Sequence, residues 1–170
     1  MIELLILTTL FFGPCHGYEI KKMFPGIKIN NNTLYPLLKK LVTGGYVKMD
    51  LQEQINKPAK KVYDLTETGK ARLFELLSDF DDDDASSDDE FYIRVAFFQF
   101  LDSDTIRNIL IKRKEHLNDI YRQQKLMTIL ERFPDKAFDI LYLKNYSESK
   151  IRTEILFVDT LMEKYNVKEN

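Results

Sequence analysis

The chain has 170 residues, enough for one sizeable core or two small domains, with 44% apolar residues, no Trp and a formal net charge of −2. That total does not point to nucleic acid, but the charge is unevenly spread: 11 Lys/Arg against 7 Asp/Glu over residues 1–77 (+4), none against 8 over residues 78–90 (−8), and 14 against 12 over residues 91–170 (+2). The single cysteine, Cys15, excludes an intrachain disulfide and a thiolate metal cluster.

The segment from Ile2 to Phe12 is nearly all apolar and stops at Gly13-Pro14, which reads as a buried helix. Acidic Glu3 stands where a secretion signal carries basic residues, and no small-residue cleavage site follows. No stretch reaches the roughly 18 apolar residues that cross a bilayer, so a cytoplasmic protein with no membrane partner is expected. Cys15, in apolar surroundings, is read as a small buried hydrophobe. A second short helix, HGYEIKKMF, carries Tyr18, Ile20 and Phe24 and ends at Pro25-Gly26.

The third element is the informative one. Asn30, Asn31 and Asn32 each suit a helix N-cap, and Leu34, Leu37, Leu38 and Leu41 then recur at three- and four-residue steps on one face. The opposite face shows Thr33, Tyr35, Lys39 and Lys40. Pro36 suits only the start of a helix, and Gly44-Gly45 closes it. Two short strands follow, around Tyr46–Leu51 and Val62–Leu65, joined by the polar stretch QEQINKPAKK. Thr66 caps a further helix with Leu73, Leu76, Leu77 and Phe80 as its apolar set. Three helices, two strands and a helix are the order of a winged helix.

Residues 81–87 read as a solvated acidic linker; an acidic mimic of DNA that restrains the head is the alternative. Ser87-Asp88-Asp89-Glu90 has the form of a capping box, so a helix is expected from Asp88. Phe91, Val95, Phe98 and Leu101 then share a face that Ala96, Phe97 and Phe100 widen. A long helix is expected over 103–133, with Ile106, Ile109, Leu110, Leu117, Ile120, Tyr121, Leu126, Met127, Ile129 and Leu130 inward. A last helix over 147–164 carries Ile151, Ile155, Val158, Leu161 and Met162. A helix of roughly thirty residues spans about 45 Å. Burying it and the aromatic helix calls for a second copy of the chain, with a monomeric bundle as the alternative. No internal repeat is present.

GPCHGYEIKKMF, NNTLYPLLKKLVTGGYV and VYDLTETGK, in this order and spacing, resemble the phenolic-acid decarboxylase regulator (PadR) family of bacterial transcription factors over residues 5–77. The likeness is looser over 88–170, where it rests on an aromatic helix, a long helix and a terminal helix. The resemblance implies a mainly α fold with a small two-stranded wing: a winged helix-turn-helix head (1–80), the acidic linker (81–87), and a helical dimerisation and effector domain (88–170). It also implies repression by a homodimer on an operator of approximate two-fold symmetry, relieved in many members by a small molecule. The family's wing tip, commonly Gly-Arg-Pro-Arg, is here Asn56-Lys57-Pro58-Ala59-Lys60-Lys61, which favours phosphate contacts over a minor-groove arginine.

On this reading double-stranded DNA is the partner. Lys39 and Lys40 clamp phosphates, while Thr33 and Tyr35 meet a base edge, a thymine methyl or a phosphate. Asn31 and Asn32 either read adenine edges or cap the helix. Tyr18, Lys21 and Lys22 lie on the helix that crosses the backbone, and Lys57, Lys60 and Lys61 on the wing. Phe91, Tyr92, Phe97, Phe98 and Phe100 either line a pocket for a small aromatic or apolar effector or are plain core.

No enzyme is expected. His16 and His116 are far apart, His16 is read as structural, and no zinc spacing, phosphate-cradling glycine loop or calcium loop is present, so no cofactor or metal is assigned. The rival from another class is a winged-helix protein-interaction adaptor that does not bind DNA.

Overall fold

In the computed structural model residues 1–23, 29–54, 57–126 and 138–168 are described. The sequence readings on Phe24, Pro25, Gly26, Asn56, Met127, Ile129, Leu130 and Phe133 lie outside them, as do those on the side chains of Lys57 and Leu126. Two compact units are present, Met1–Asp79 and Phe80–Asn170.

The first unit runs α1 (Ile2–Phe11), β1 (Cys15–His16), α2 (Gly17–Met23), α3 (Asn31–Thr43), β2 (Val47–Gln54), β3 (Lys57–Leu65) and α4 (Glu67–Ser78). This is a winged helix. Helix α1 is buried along every residue from Leu4 to Leu10, packing on α4, β3, α2 and α3. Its two buried hydroxyls, Thr8 and Thr9, both donate back to the Leu5 carbonyl at 3.0 and 2.8 Å, so the all-apolar surroundings leave neither unpaired. Arg72 of α4 donates to Glu3 at 3.0 Å and closes the unit between its first and last helices.

Asn30 is the residue that caps α3. Its side-chain oxygen accepts from the Thr33 backbone N–H at 2.8 Å and from the Thr33 hydroxyl at 3.0 Å. Leu34, Leu38 and Leu41 are fully buried, Leu37 partly, and each full burial contributes about 1.5–3 kcal/mol. The helix starts at Asn31, within the Asn30 to Asn32 range read from Pro36, although this puts Pro36 itself beyond the first turn, inside the helix. Pro36 removes the donor that would meet the carbonyl of Asn32, an exposed residue. Gly45 takes a φ of +74°, and the Tyr46 N–H reaches the Leu41 carbonyl at 3.0 Å, a left-handed closure that favours glycine.

The sheet has three strands, ordered β1-β3-β2, rather than the two expected. Cys15 pairs with Tyr63 and His16 with Val62; two residues are too few to show a strand period in sequence. The β2–β3 hairpin is also longer than expected. Val47 opposes Leu65 and the ladder continues outward to Gln52 opposite Lys60. The outer rungs are exposed and, apart from Leu51, polar, because an antiparallel ladder is held by backbone bonds that need no apolar face. Val47, Tyr63 and Leu65 bury its base. Thr66 caps α4 as expected, accepting from Gly69 N–H at 3.0 Å. Phe80, assigned by periodicity to α4, lies beyond the end of that helix and belongs to the core of the second unit.

The second unit comprises α5 (Asp82–Ser86), α6 (Asp88–Ala96), a 3-10 turn (Phe98–Phe100), α7 (Ser103–Leu126) and α8 (Phe138–Lys164). The acidic stretch 81–87, whose charge suggested a solvated linker, thus contains a helix with Ala85 buried. The cause is a set of cationic partners that sequence does not display. Asp84 meets buried Arg94 at 2.9 Å and Asp82 meets Lys112 at 3.3 Å, while Arg113 donates to the Ala85 carbonyl at 2.8 Å. Only half of the expected capping box forms. Ser87 accepts from Glu90 N–H, but the Glu90 carboxylate turns to Arg94 at 2.6 Å.

Helices α7 and α8 run in opposite senses, since Arg152 meets Tyr121 and Lys114 meets Asp159, both at 2.6 Å. Phe91, Phe98, Ile109, Leu110, Leu117 and Val158 are among the residues of their shared core. Helix α8 begins nine residues before the expected start at 147.

Candidate nucleic-acid interface

Gly17 opens α2, and its N-terminus is closed by a carboxylate: the His16 backbone N–H donates to Glu19 at 2.7 Å, three residues on. This fixes Tyr18 and Lys22 outward, the ammonium 4.6 Å over the phenol ring, with Tyr18 62% exposed. Lys21 donates to Asn31 at 3.0 Å and ties α2 to the first turn of α3. Tyr35 projects from α3 against Gly17, where a Cβ would stand 3.0 Å from its ring. That glycine lets the two helices approach closely enough for the phenol to lie between them.

Tyr18, Tyr35, Lys60 and Lys61 are brought together around one groove of about 540 Å³. Its floor and rim add His16, Glu19 and Tyr63, residues that the sequence reading did not assign to binding. The His16 ring places Nδ1 3.0 Å from the Lys61 carbonyl. Burial, and then the neighbouring Tyr35, push the Tyr63 phenol upward in pKa, so it stays a neutral hydrogen-bonding group. Lys39 and Lys40 are exposed further along α3 and do not line the groove; Asn32 is exposed and Thr33 half-buried, with its hydroxyl on the cap. Lys57 is placed in β3 by its backbone. The only signal for His16 was its place in the HGYE motif, and nothing in the sequence singled out Tyr63.

Cys15 is half-buried, not fully buried, and burial followed by Glu19 raises its thiol to about 11, so it stays protonated. Among the described residues no group of His, Cys, Asp and Glu could hold a metal ion, and no helix is long and apolar enough to cross a membrane.

In the second unit the aromatic candidates divide. Phe91 and Phe98 lie in the core, Phe97 is buried, and Phe100 is 43% exposed. Phe91, Tyr92 and Phe157 form a triangle of rings 5.7 to 6.5 Å apart, and Phe97 pairs with Phe100 at 5.9 Å. Tyr92 donates to Glu154 at 2.7 Å; burial and then that bond hold the phenol protonated. Arg113, 1% exposed, stacks 5.1 Å from Phe91 and pairs with Asp88 and, at 3.6 Å, Glu154. No periodicity argument flagged Arg94 or Arg113, because arginine is expected outside.

Residues 6–75 match the family described as "Transcriptional regulator PadR-like family". A relative from Bacillus subtilis (strain 168), "Negative transcriptional regulator PadR", is 30% identical over 141 residues, 77% of this chain and 78% of the relative. Among solved structures, Bacillus subtilis PadR in complex with operator DNA is 24% identical over 96% of each chain, with a TM-score of 0.46. A PadR family transcription regulator from Clostridium difficile R20291 is 26% identical over 59% of this chain and 98% of its own, with a TM-score of 0.40. With residues 6–75 matched and that identity running through most of both chains, this chain belongs to the PadR-like family of transcriptional regulators.

Proposed function

We propose that this chain is a sequence-specific transcriptional repressor that binds a pseudo-palindromic DNA operator as a homodimer. The observation that carries the reading is the groove in which Tyr18, Tyr35, Lys60 and Lys61 converge beside the exposed face of α3. A helix of that diameter fits the major groove, and its flanking lysines suit phosphates on either wall. Thr33 and Tyr35 supply base-edge or phosphate contacts; Asn31 and Asn32 occupy the first turn, where such helices meet bases. Lys21, Lys22, Lys39, Lys40, Lys57, Lys60 and Lys61 supply phosphate contacts.

Pairing through the second unit is supported by apolar side chains left on the surface of α8, with Leu143, Tyr146 and Leu156 at 66%, 70% and 66% exposure. A second copy is the occupant proposed for that face. Release by a small aromatic or apolar effector is assigned to the neighbourhood of Phe91, Tyr92, Phe97, Phe98 and Phe100. Of these, Tyr92 presents a half-open ring beside Phe157.

Titration of random duplex DNA across a salt series tests the central claim. Affinity should fall steeply as salt rises; a protein-interaction adaptor would show little binding at any salt. Footprinting on the DNA upstream of its own gene tests specificity, and replacing Tyr35 and Lys39 together should abolish protection while the dimer persists. Unchanged protection in that variant would refute the assignment of α3.

A further inference from the structure

His16 lines the basic groove together with Tyr18, Tyr35, Lys60 and Lys61. Its Nδ1 lies 3.0 Å from the Lys61 carbonyl, and a carbonyl oxygen can only accept, so Nδ1 carries a proton in either charge state. The remaining ring nitrogen, Nε2, is therefore a bare acceptor when the imidazole is neutral and a donor when it is protonated. A phosphate oxygen is also only an acceptor. Neutral His16 consequently opposes a phosphate in the groove, and protonated His16 binds one with a charge-assisted bond.

The charged and titratable groups around the ring come from every element packed on it. Glu19 and Tyr18 are contributed by α2, Tyr35 by α3, Lys60, Lys61 and Tyr63 by β3, and Cys15 is its neighbour in β1. The Glu19 carboxylate is held on the His16 backbone N–H. An arriving phosphodiester adds negative charge to this set and tips it toward protonation. The phenolic hydroxyls of Tyr18, Tyr35 and Tyr63 are donors suited to the same anion.

We propose that His16 is a phosphate-contacting residue of the DNA interface and couples DNA binding to the uptake of one proton. This rests on the DNA-binding reading above. Imidazole is the side chain whose charge ordinarily changes between pH 5 and 8, the range that the test below spans. The chain has two histidines, and His116 lies in the second unit, which makes the titration assignable.

The test is binding of the full chain to a 30-base-pair random duplex at fixed salt between pH 8 and pH 6. For the wild type, affinity should rise about tenfold as pH falls. His16→Gln keeps a donor for the Lys61 carbonyl and should bind more weakly at pH 6 with the pH dependence gone. His16→Lys should bind at least as tightly as wild type at pH 8, also without pH dependence, which a merely structural histidine would not produce. A His16→Gln protein that keeps the wild-type pH dependence overturns the inference. Should the variants fail to fold, ¹⁵N shifts of the His16 ring in the wild type decide. They should move toward imidazolium values when duplex is added at pH 7, and shifts that stay put overturn the proposal. If wild type binds no duplex at any pH or salt, it is the DNA-binding reading that has failed.

Discussion

A Cβ on Gly17 would stand 3.0 Å from the Tyr35 ring and 3.4 Å from its hydroxyl. The phenol would have to give way by a few tenths of an ångström, and its position in the groove depends on that contact. Gly17→Ala should therefore weaken DNA binding by about tenfold, equivalent to about 1.4 kcal/mol. Stability should change by under about 1 kcal/mol, because alanine favours the helix that begins there. Paired urea unfolding and DNA titration measure both, and equal affinity for the two proteins would show that Tyr35 does not need this seat. Tyr35 itself was legible in the sequence, as the aromatic on the polar side of a leucine stripe. Gly17 and Tyr63 were not, since their importance comes from approach in space between α2, α3 and β3.

Helix α7 carries the buried Arg113, whose partners lie on three other elements: the Ala85 carbonyl of α5, Asp88 of α6 and Glu154 of α8. Arg113→Met leaves the enclosed Oε2 of the partly buried Glu154 without its cation and should cost about 3 kcal/mol. Adding Glu154→Leu should recover a substantial part of that loss, and a denaturant double-mutant cycle reads the coupling. Strictly additive effects would show that the pair is not coupled. One turn on, His116 is held below the ordinary imidazole range by burial and then by the Arg113 charge, with Asp119 and Asp88 opposing. The folded unit thus disfavours the protonated ring relative to the unfolded chain. The stability this contributes is complete above the unfolded value near pH 6.5 and declines as pH falls through that value toward the folded one. Unfolding at pH 7.5 and pH 5.5 should show a smaller loss for His116→Phe than for wild type. Elements with strong periodicity, α3, α4 and the later part of α8, could be located from sequence. Strand β1 and helix α5 could not, one being two residues long and the other held by distant arginines and a lysine.

At the scale of the whole molecule, the operator binding proposed above depends on bivalence. The second head binds at an effective concentration set by the tether, which can raise avidity by roughly 10²–10⁴ over one head. Charged substitutions on the exposed face of α8, Leu143→Glu with Tyr146→Glu, should yield a monomer by sedimentation and lose operator affinity on that scale. Salt-dependent binding of random duplex by each separate head should persist. A dimer that survives both changes would place the pairing surface elsewhere. The head was read as residues 1–80 and the first unit ends at Asp79; the one-residue difference is Phe80, which matches the helical period of the segment before it but packs in the core of the second unit.

The apolar helix Ile2–Phe11 has no solvent face of its own, and the Glu3–Arg72 bond spans 69 positions. During biosynthesis this segment waits, greasy and only partly covered by α2, α3 and β3, until α4 has been made. At rates of about 5–20 residues per second, that interval lasts several seconds. Ribosome-associated chaperones would find their best substrate in exactly the stretch that later disappears from view, so yield in a cell should respond to chaperone supply more sharply than stability of the purified protein would suggest.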